Sequence, residues 1–198
     1  MTDLDLYLNF VLHAVLGKLS EADALMSMVG DQIRSAAERI AAHHPLPPAP
    51  LYRGLLLEPG KPYVGNPRLT FLSWSEDRDV ARWFACPRSA VSEPLAASNR
   101  RLRSHLVELA TTPPRLLFHH SWVPNLSALS SLALKHTLMG SEGKRQIEWS
   151  LRTQREVITG PVDNLSPEPT ADLDGDELAA LERRFSPPWV IEQEGVRR

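Results

Sequence analysis

Apolar residues recur at helical spacing through the first quarter of the chain. A strongly apolar segment around Phe10 is followed by a second series with a period of three to four residues, formed by Leu25, Val29, Ile33, Ala36 and Ile40. Residues 20–23 (Ser-Glu-Ala-Asp) resemble a capping box and predict that a second helix begins there. Prolines between positions 45 and 50 would end this helix. The pattern therefore predicts a helical layer over residues 3–44.

Beyond residue 50 the apolar runs become short, as they are in strands. We expect strands within residues 51–57, 69–74, 104–110, 116–122, 149–159 and 189–193. Helices are expected in residues 76–86 (with Ser75 as a candidate cap), 126–139 and 176–185, with an acidic, turn-rich loop over residues 163–177. Helices followed by short strands predict an α+β fold. Residues 1–198 would form a single domain, with N-terminal helices in 1–45 and a mixed β core in 46–198.

The composition is that of a folded intracellular protein. The chain has 198 residues, of which 42% are hydrophobic, which is enough for a sizeable core. The only cysteine, Cys86, cannot form an intrachain disulfide, and a buried thiol is the favoured interpretation. The acidic N-terminus is unlike a secretory signal, and no run approaches the ~18 apolar residues of a membrane helix. We expect a cytoplasmic protein with no membrane partner, or one delivered into a target cell without a classical signal peptide.

Three polar elements interrupt the predicted β core. Residues 52–54 (Tyr-Arg-Gly) place an arginine in an apolar strand, where it needs an anionic partner, beside a glycine that permits close approach to the backbone. Residues 73–75 (Ser-Trp-Ser) offer two hydroxyls at the end of a strand. Residues 154–156 (Gln-Arg-Glu) stand where a strand begins, and strand alternation would direct Gln154 and Glu156 to the same face.

In this order, the three elements resemble the Arg-Ser-Glu class of mono-ADP-ribosyltransferases, which includes cholera-type and clostridial exoenzyme-type toxins. The resemblance spans about residues 51–160, including an alanine and aromatics in residues 80–85. It implies an ADP-ribosyltransferase fold of two small packed mixed β-sheets with an N-terminal helical layer, NAD as substrate and no metal. Trp74 stands where many members have threonine, and Leu151 where many have an aromatic residue.

The resemblance also implies a role for each residue. Glu156 would hold the ribose and stabilise the oxocarbenium-like transition state, Ser73 would fix the Glu156 rotamer, and Arg53 would bind the pyrophosphate. Gln154 would orient the acceptor, and because members that modify arginine carry glutamate there, it argues against an arginine acceptor. The wider NAD site would include Gly54, Trp74 and Phe84, and the acceptor site would include Trp149, Arg152 and Arg155.

The distribution of charge along the chain does not decide between a protein and a nucleic-acid acceptor. Residues 53–156 hold 15 Lys and Arg against 9 Asp and Glu, although the whole chain has a net charge of −2. Basic clusters at residues 100–103 and 144–155, the second with Trp149, are typical of nucleic-acid binding, although a solvated basic face is an equal alternative. Some Gln-x-Glu relatives modify guanine in DNA, and others modify asparagine or glutamine in proteins. A protein acceptor is slightly favoured, and a DNA or RNA base is the alternative.

Other functions also remain open. The chain can be an NAD glycohydrolase that passes the ribosyl cation to water, or a catalytically silent NAD-binding module. Relatives are often toxins, phage effectors or defence proteins, so an inhibitory antitoxin or immunity partner is conceivable. The pair His119-His120 invites a metal, but no second ligand pair stands at a zinc-like spacing, so structural histidines are favoured.

Overall fold

A computed structural model describes most of the chain, namely residues 2–46, 49–61, 63, 70–110, 115–122, 145–147 and 149–186. The structural statements that follow concern these residues. The predicted helix over residues 126–139 and the predicted strand over residues 189–193 lie outside them, as does Lys144 of the second basic cluster.

The described helices are α1 (Asp3–Val15), α2 (Leu19–His43), α3 (Arg78–Ala85), α4 (Glu93–Ser98) and α5 (Gly175–Phe185). Two of them begin with capping boxes, formed by Thr2 with Asp5 and by Asp174 with Glu177. The capping box predicted at residues 20–23 is wrong, because α2 already begins at Leu19, and its N-cap Lys18 makes no side-chain cap. None of the described helices combines the length and the apolar character needed to cross a membrane.

The described strands are β1 (Leu51–Leu57), β2 (Leu72–Ser75), β3 (Arg103–Leu109), β4 (Leu116–His119), β5 (Glu156–Thr159) and β6 (Glu168–Pro169). They form one antiparallel sheet in the order β4-β5-β2-β1-β3-β6. The predicted α+β class is confirmed. The described strands form one antiparallel sheet, whereas the resemblance implied two packed mixed sheets; short polar motifs in order along a chain carry no information on which strands pair.

A seam divides this sheet into two halves. The strands β1 and β2 share a single register pair, between Tyr52 and Ser75. In contrast, β1 pairs with β3 along all seven of its residues, and β2 pairs with β5 along all four. The sheet is therefore two three-stranded halves, β4-β5-β2 and β1-β3-β6, whose strands are paired across the seam at one register position.

The two faces of the sheet are covered by different cores. The layer of α1 and α2 packs on the face that includes Ile158 and Phe118, and Phe10 of α1 meets Phe71 edge-on at 5.3 Å. Alternate residues of the same strands, among them Trp74 and Val157, belong to a separate cluster. A third cluster joins α3 to α5 around Trp83 and Phe185.

Two regions in which strands were predicted also contain a helical turn. The strand in residues 116–122 ends at His119 and continues as a 3₁₀ turn, His120–Trp122. In residues 149–159 only Glu156–Thr159 is a strand, and it follows a π-helical turn, Ser150–Gln154. Neither turn has a signal in the apolar pattern of the sequence.

Candidate functional site

A cavity of about 200 Å³ lies at the seam of the sheet. It is lined by residues of both sheet halves, of α3 and of the turn before β5: Tyr52, Arg53, Gly54, Ser73, Trp74, Ser75, Val80, Ala81, Phe84, Gln154 and Glu156. In the strand register Ser75 lies opposite Glu156, and Ser73 lies two positions before Ser75, so these three side chains share one face. Pockets that enclose a small ligand measure roughly 300–1,000 Å³. The cavity is therefore smaller than a pocket that encloses a whole drug-sized ligand.

One wall of the cavity depends on Gly54. A Cβ placed on Gly54 would lie 1.9 Å from the carbonyl oxygen of Ala81 and 2.8 Å from the backbone nitrogen of Ala85. The backbone of α3 thus rests directly on β1, and this brings Val80 and Phe84 to the cavity. The sequence predicted a close approach at this glycine, and the group that approaches in the structure is a helix of the same chain.

Glu156 is a buried carboxylate whose pKa is strongly raised. Its side chain is 6% exposed, and its Oε1 accepts a hydrogen bond of 2.5 Å from the Ser73 hydroxyl. The second carboxyl oxygen, Oε2, is buried without a partner among the described residues. Burial raises the pKa of Glu156 to about 7, against the opposing effects of the Ser73 hydrogen bond and the Arg53 charge. Near neutral pH this group can therefore both hold a negative charge and take up a proton.

Arg53 occupies the seam between the sheet halves. Its Nη1 donates to the backbone oxygen of Ser73, and the Tyr63 hydroxyl accepts a second hydrogen bond. Its Nε is buried without a partner among the described residues. Burial lowers the pKa of Arg53, while Tyr63 and Glu156 act in the opposite direction. The guanidinium stays protonated even with this lowered pKa. The cavity therefore contains a cation whose Nε–H has no hydrogen-bond partner among the described residues.

Gln154 reaches the cavity by a route that differs from the prediction. It is the last residue of the π-helical turn rather than part of a strand. The next residue, Arg155, adopts φ 49° and ψ 51°, a left-handed conformation that costs a non-glycine residue on the order of 1 kcal/mol. Ser75 fixes the turn by donating to the Gln154 carbonyl at 2.6 Å. Strand alternation is thus the wrong reason for placing Gln154 and Glu156 together, although both line the cavity.

Ser75 differs from its expected role as a helix cap. The N-cap of α3 is Asp77, whose carboxylate accepts from the backbone N–H of Asp79 at 2.9 Å. The Ser75 oxygen accepts from the backbone N–H of Asp77 at 2.9 Å while its hydroxyl donates to Gln154. Ser75 therefore connects the start of α3 to the turn before β5.

The structure gathers part of the predicted site and separates the rest. The cavity brings together the predicted catalytic and NAD-binding residues, which are Arg53, Gly54, Ser73, Trp74, Phe84, Gln154 and Glu156. The indole of Trp74, however, donates to Thr159 at 3.0 Å within a core cluster. The three remaining predicted acceptor residues, Trp149, Arg152 and Arg155, are not among the described residues that line the cavity.

Two of these acceptor residues have partners elsewhere. The indole N–H of Trp149 donates to the backbone oxygen of Phe185 at 3.0 Å, and its ring packs against Trp83. Arg155 is half-exposed and pairs with Glu76 at 2.8 Å. The basic character read from the sequence around Gln154 is thus partly neutralised in the folded chain.

Glu76 is the centre of a cluster that the sequence did not reveal. Its Oε1 is 3.0 Å from Nε2 of His119, and its Oε2 is 3.0 Å from Nε2 of His120 as well as 2.8 Å from Arg155. Burial alone would raise the pKa of Glu76, but the hydrogen bonds from His120 and His119 outweigh it and hold the pKa below its usual range. These partners lie 43 to 79 residues from Glu76 along the chain, so no local spacing could indicate them.

The cluster of Glu76, His119 and His120 has the residue types of a metal site, and its ligand atoms all lie within 4.8 Å of one another. The two imidazole rings are stacked at 4.4 Å, and each directs its Nε2 to one oxygen of Glu76 at 3.0 Å, which is the distance of a hydrogen bond. The backbone N–H of Ser121 donates to Nδ1 of His119, which leaves the proton on Nε2, the atom that faces Glu76. Arg155 already places a positive charge beside Glu76, and a metal ion bound there would be repelled by it.

Comparisons with known proteins add no information on this site. No family model, no curated protein and no solved structure matches the chain. The functional argument consequently depends on the residues and their geometry.

Proposed function

We propose that this chain is a mono-ADP-ribosyltransferase, which cleaves NAD between nicotinamide and ribose and transfers ADP-ribose to a protein side chain other than arginine. The observation that carries this proposal is the hydrogen bond of 2.5 Å between Ser73 and the buried Glu156, in a cavity that also contains the Arg53 guanidinium. A cation for phosphate, a carboxylate for ribose and a hydroxyl that fixes the carboxylate are the groups this reaction requires.

The chemistry assigns separate tasks to the two oxygens of Glu156. When the bond from ribose to nicotinamide breaks, its electron pair leaves with nicotinamide and positive charge builds on the ribose. Since Ser73 holds Oε1, the unpartnered Oε2 is available for a ribose hydroxyl, and the carboxylate acts on the cation without reorganisation. When the acceptor bonds to the ribose carbon it loses a proton, and a carboxylate with a pKa of about 7 is suited to take up that proton.

The surroundings of Gln154 favour a protein acceptor over a nucleic-acid base. An amide side chain donates to and accepts from another amide, and it has no charge that would favour a guanidinium. A base acceptor would gain from an aromatic stacking surface and from arginines free to bind phosphate. Trp149 is instead packed against Trp83, and Arg155 is paired with Glu76.

The experiment is a transfer assay with NAD labelled in its ADP-ribose moiety, incubated with the full chain and a cell lysate. Label that is lost on protease digestion supports the proposal. Label that is lost on nuclease digestion shows that the acceptor is a nucleic-acid base instead. Label found only as free ADP-ribose identifies an NAD glycohydrolase instead. Glu156→Gln is the test variant and Glu168→Gln, an exposed position on β6, is its matched control. Nicotinamide release that is absent, or equal in the parent and Glu156→Gln, overturns the proposal and leaves a silent binding module.

A further inference from the structure

We propose that Glu76 is a positioning residue for the acceptor step, acting through Arg155 on the turn that presents Gln154. The effect on transfer that we expect rests on the proposed function. The effect on the conformation of the turn rests on the geometry of the turn alone. Glu76 accepts hydrogen bonds from three side chains, two from the strand end and turn at His119 and His120 and one from Arg155. One carboxylate thereby connects three separate segments of the chain.

The turn before β5 needs an external restraint. Arg155 holds a left-handed conformation that a residue with a side chain adopts at a cost, and only one residue separates Gln154 from Glu156. The Arg155 guanidinium is tied to Glu76 at 2.8 Å, and the Gln154 carbonyl is tied to Ser75, the neighbour of Glu76. Both ties therefore originate from the same two residues at the end of β2.

Glu156 is held by different contacts. Its backbone belongs to the β2–β5 ladder opposite Ser75, and its side chain is fixed by Ser73. Release of Arg155 would leave those contacts in place and would leave the Ser75 hydrogen bond as the remaining tie on the turn, so the Gln154 side chain would be less firmly oriented. Loss of Glu76 should thus impair transfer to the acceptor more than it impairs cleavage of NAD.

The rigidity of the cluster supports this role. The side chain of Glu76 is 15% exposed and that of His119 is 6% exposed, and the two histidine rings stack on one another. Ser121 donates its backbone N–H to His119 and so fixes which ring nitrogen faces Glu76. Glu76 and His119 are thus largely excluded from water and held by several contacts, while Arg155, which pairs with Glu76, is half-exposed at the surface.

The test compares Glu76→Gln with Asp31→Asn, which removes an ion pair of similar length (2.7 Å) on the surface of α2. With labelled NAD and lysate, Glu76→Gln should lower transferred label by 10- to 100-fold, on the order expected for a misplaced group, and leave nicotinamide release within about threefold of the parent. The ADP-ribose that is no longer transferred should then be recovered as free ADP-ribose, formed when water attacks the ribosyl cation. Arg155→Lys keeps the cation and should retain most of the transfer. Transfer and nicotinamide release that fall in proportion, or a transfer yield unchanged in Glu76→Gln, would overturn the inference.

A second readout does not require catalysis. Hydrogen exchange of the backbone amides of residues 153–156 should become faster in Glu76→Gln and stay unchanged in Asp31→Asn. Unaltered exchange in Glu76→Gln overturns the positioning role even if the chain is an active transferase. Faster exchange in Glu76→Gln, with no nicotinamide release by the parent, would support the role of Glu76 in holding Arg155 and would contradict the proposed function. Zinc that is retained by the dialysed parent and lost from Glu76→Gln would overturn the inference, because it would show that Glu76, His119 and His120 bind a metal ion.

Discussion

Replacing Glu156 by glutamine should stabilise the folded chain at alkaline pH while abolishing the proposed activity. The two side chains have nearly the same shape, and the Ser73 hydroxyl can donate to either one. Burial raises the pKa of Glu156 from its usual value of 4.5 to about 7. Holding this buried carboxylate ionised therefore costs the folded state about 3 kcal/mol at a pH well above 7, relative to the unfolded chain. Glutamine carries no such cost.

The sign of the pH dependence follows from proton binding. Between about pH 4.5 and pH 7 the folded state keeps a proton on Glu156 that the unfolded state has released, so stability falls as the pH rises through this range. At pH 5, only half a unit above the usual pKa of 4.5, Glu156→Gln should be more stable than the parent by only about 1 kcal/mol. At pH 8 the variant should be more stable by about 3 kcal/mol, which corresponds to roughly 6–12 °C in Tm for a domain of this size.

Thermal unfolding at pH 5 and pH 8, followed by circular dichroism, measures this difference, and Glu168→Gln serves as the control with the same change in formal charge. A gap between parent and Glu156→Gln that is equal at the two pH values would refute the reasoning, because it would mean that Glu156 is not buried in its ionised form. The same variant should lose 100- to 1000-fold in NAD cleavage, as is typical when a preorganised transition-state partner is removed. Stability gained together with activity lost is the signature of a strained functional carboxylate.

Three further predictions test the cavity. Ser73→Ala removes the hydrogen bond that lowers the pKa of Glu156, so the rise of kcat/KM with pH, expected near pH 7 in the parent, should shift to higher pH in the rate profile. Gly54→Ala should destabilise the fold by about 3 kcal/mol or more in urea unfolding, since the added methyl group meets the Ala81 carbonyl oxygen at 1.9 Å; equal midpoints would contradict the packing of α3 on β1. Trp83→Ala should cost about 3–5 kcal/mol in the same assay, because the ring is fully buried between α3 and α5, and a smaller loss would argue that these helices do not pack as described.

The elements that the sequence predicted well are those whose signal is local. Helical periodicity predicted α1 and α2, and short apolar runs predicted the strands that carry Arg53 and Ser73. The resemblance carried by the order of the polar elements grouped Arg53, Ser73 and Glu156, which the structure brings to one cavity. Each of these residues lies on a strand, for which the apolar pattern gives a local signal.

The features that the sequence did not predict depend on contacts between distant segments. The left-handed conformation of Arg155 is imposed by its surroundings, since an arginine has no intrinsic preference for it. The Glu76 cluster joins segments far apart in the chain, and Trp149 is drawn into the core by Trp83 and Phe185. An aromatic residue beside basic residues thus has two interpretations that only tertiary packing separates.

The seam between β1 and β2 has a consequence for how this chain would respond to a ligand. Ser73 and Glu156 belong to one half-sheet and Arg53 to the other, with one register pair between them. A molecule that engages all three side chains would act as a bridge, adding to the seam the attachment that the backbone does not provide there. Occupancy of the cavity and the mutual rigidity of the two halves are therefore linked, so that each strengthens the other.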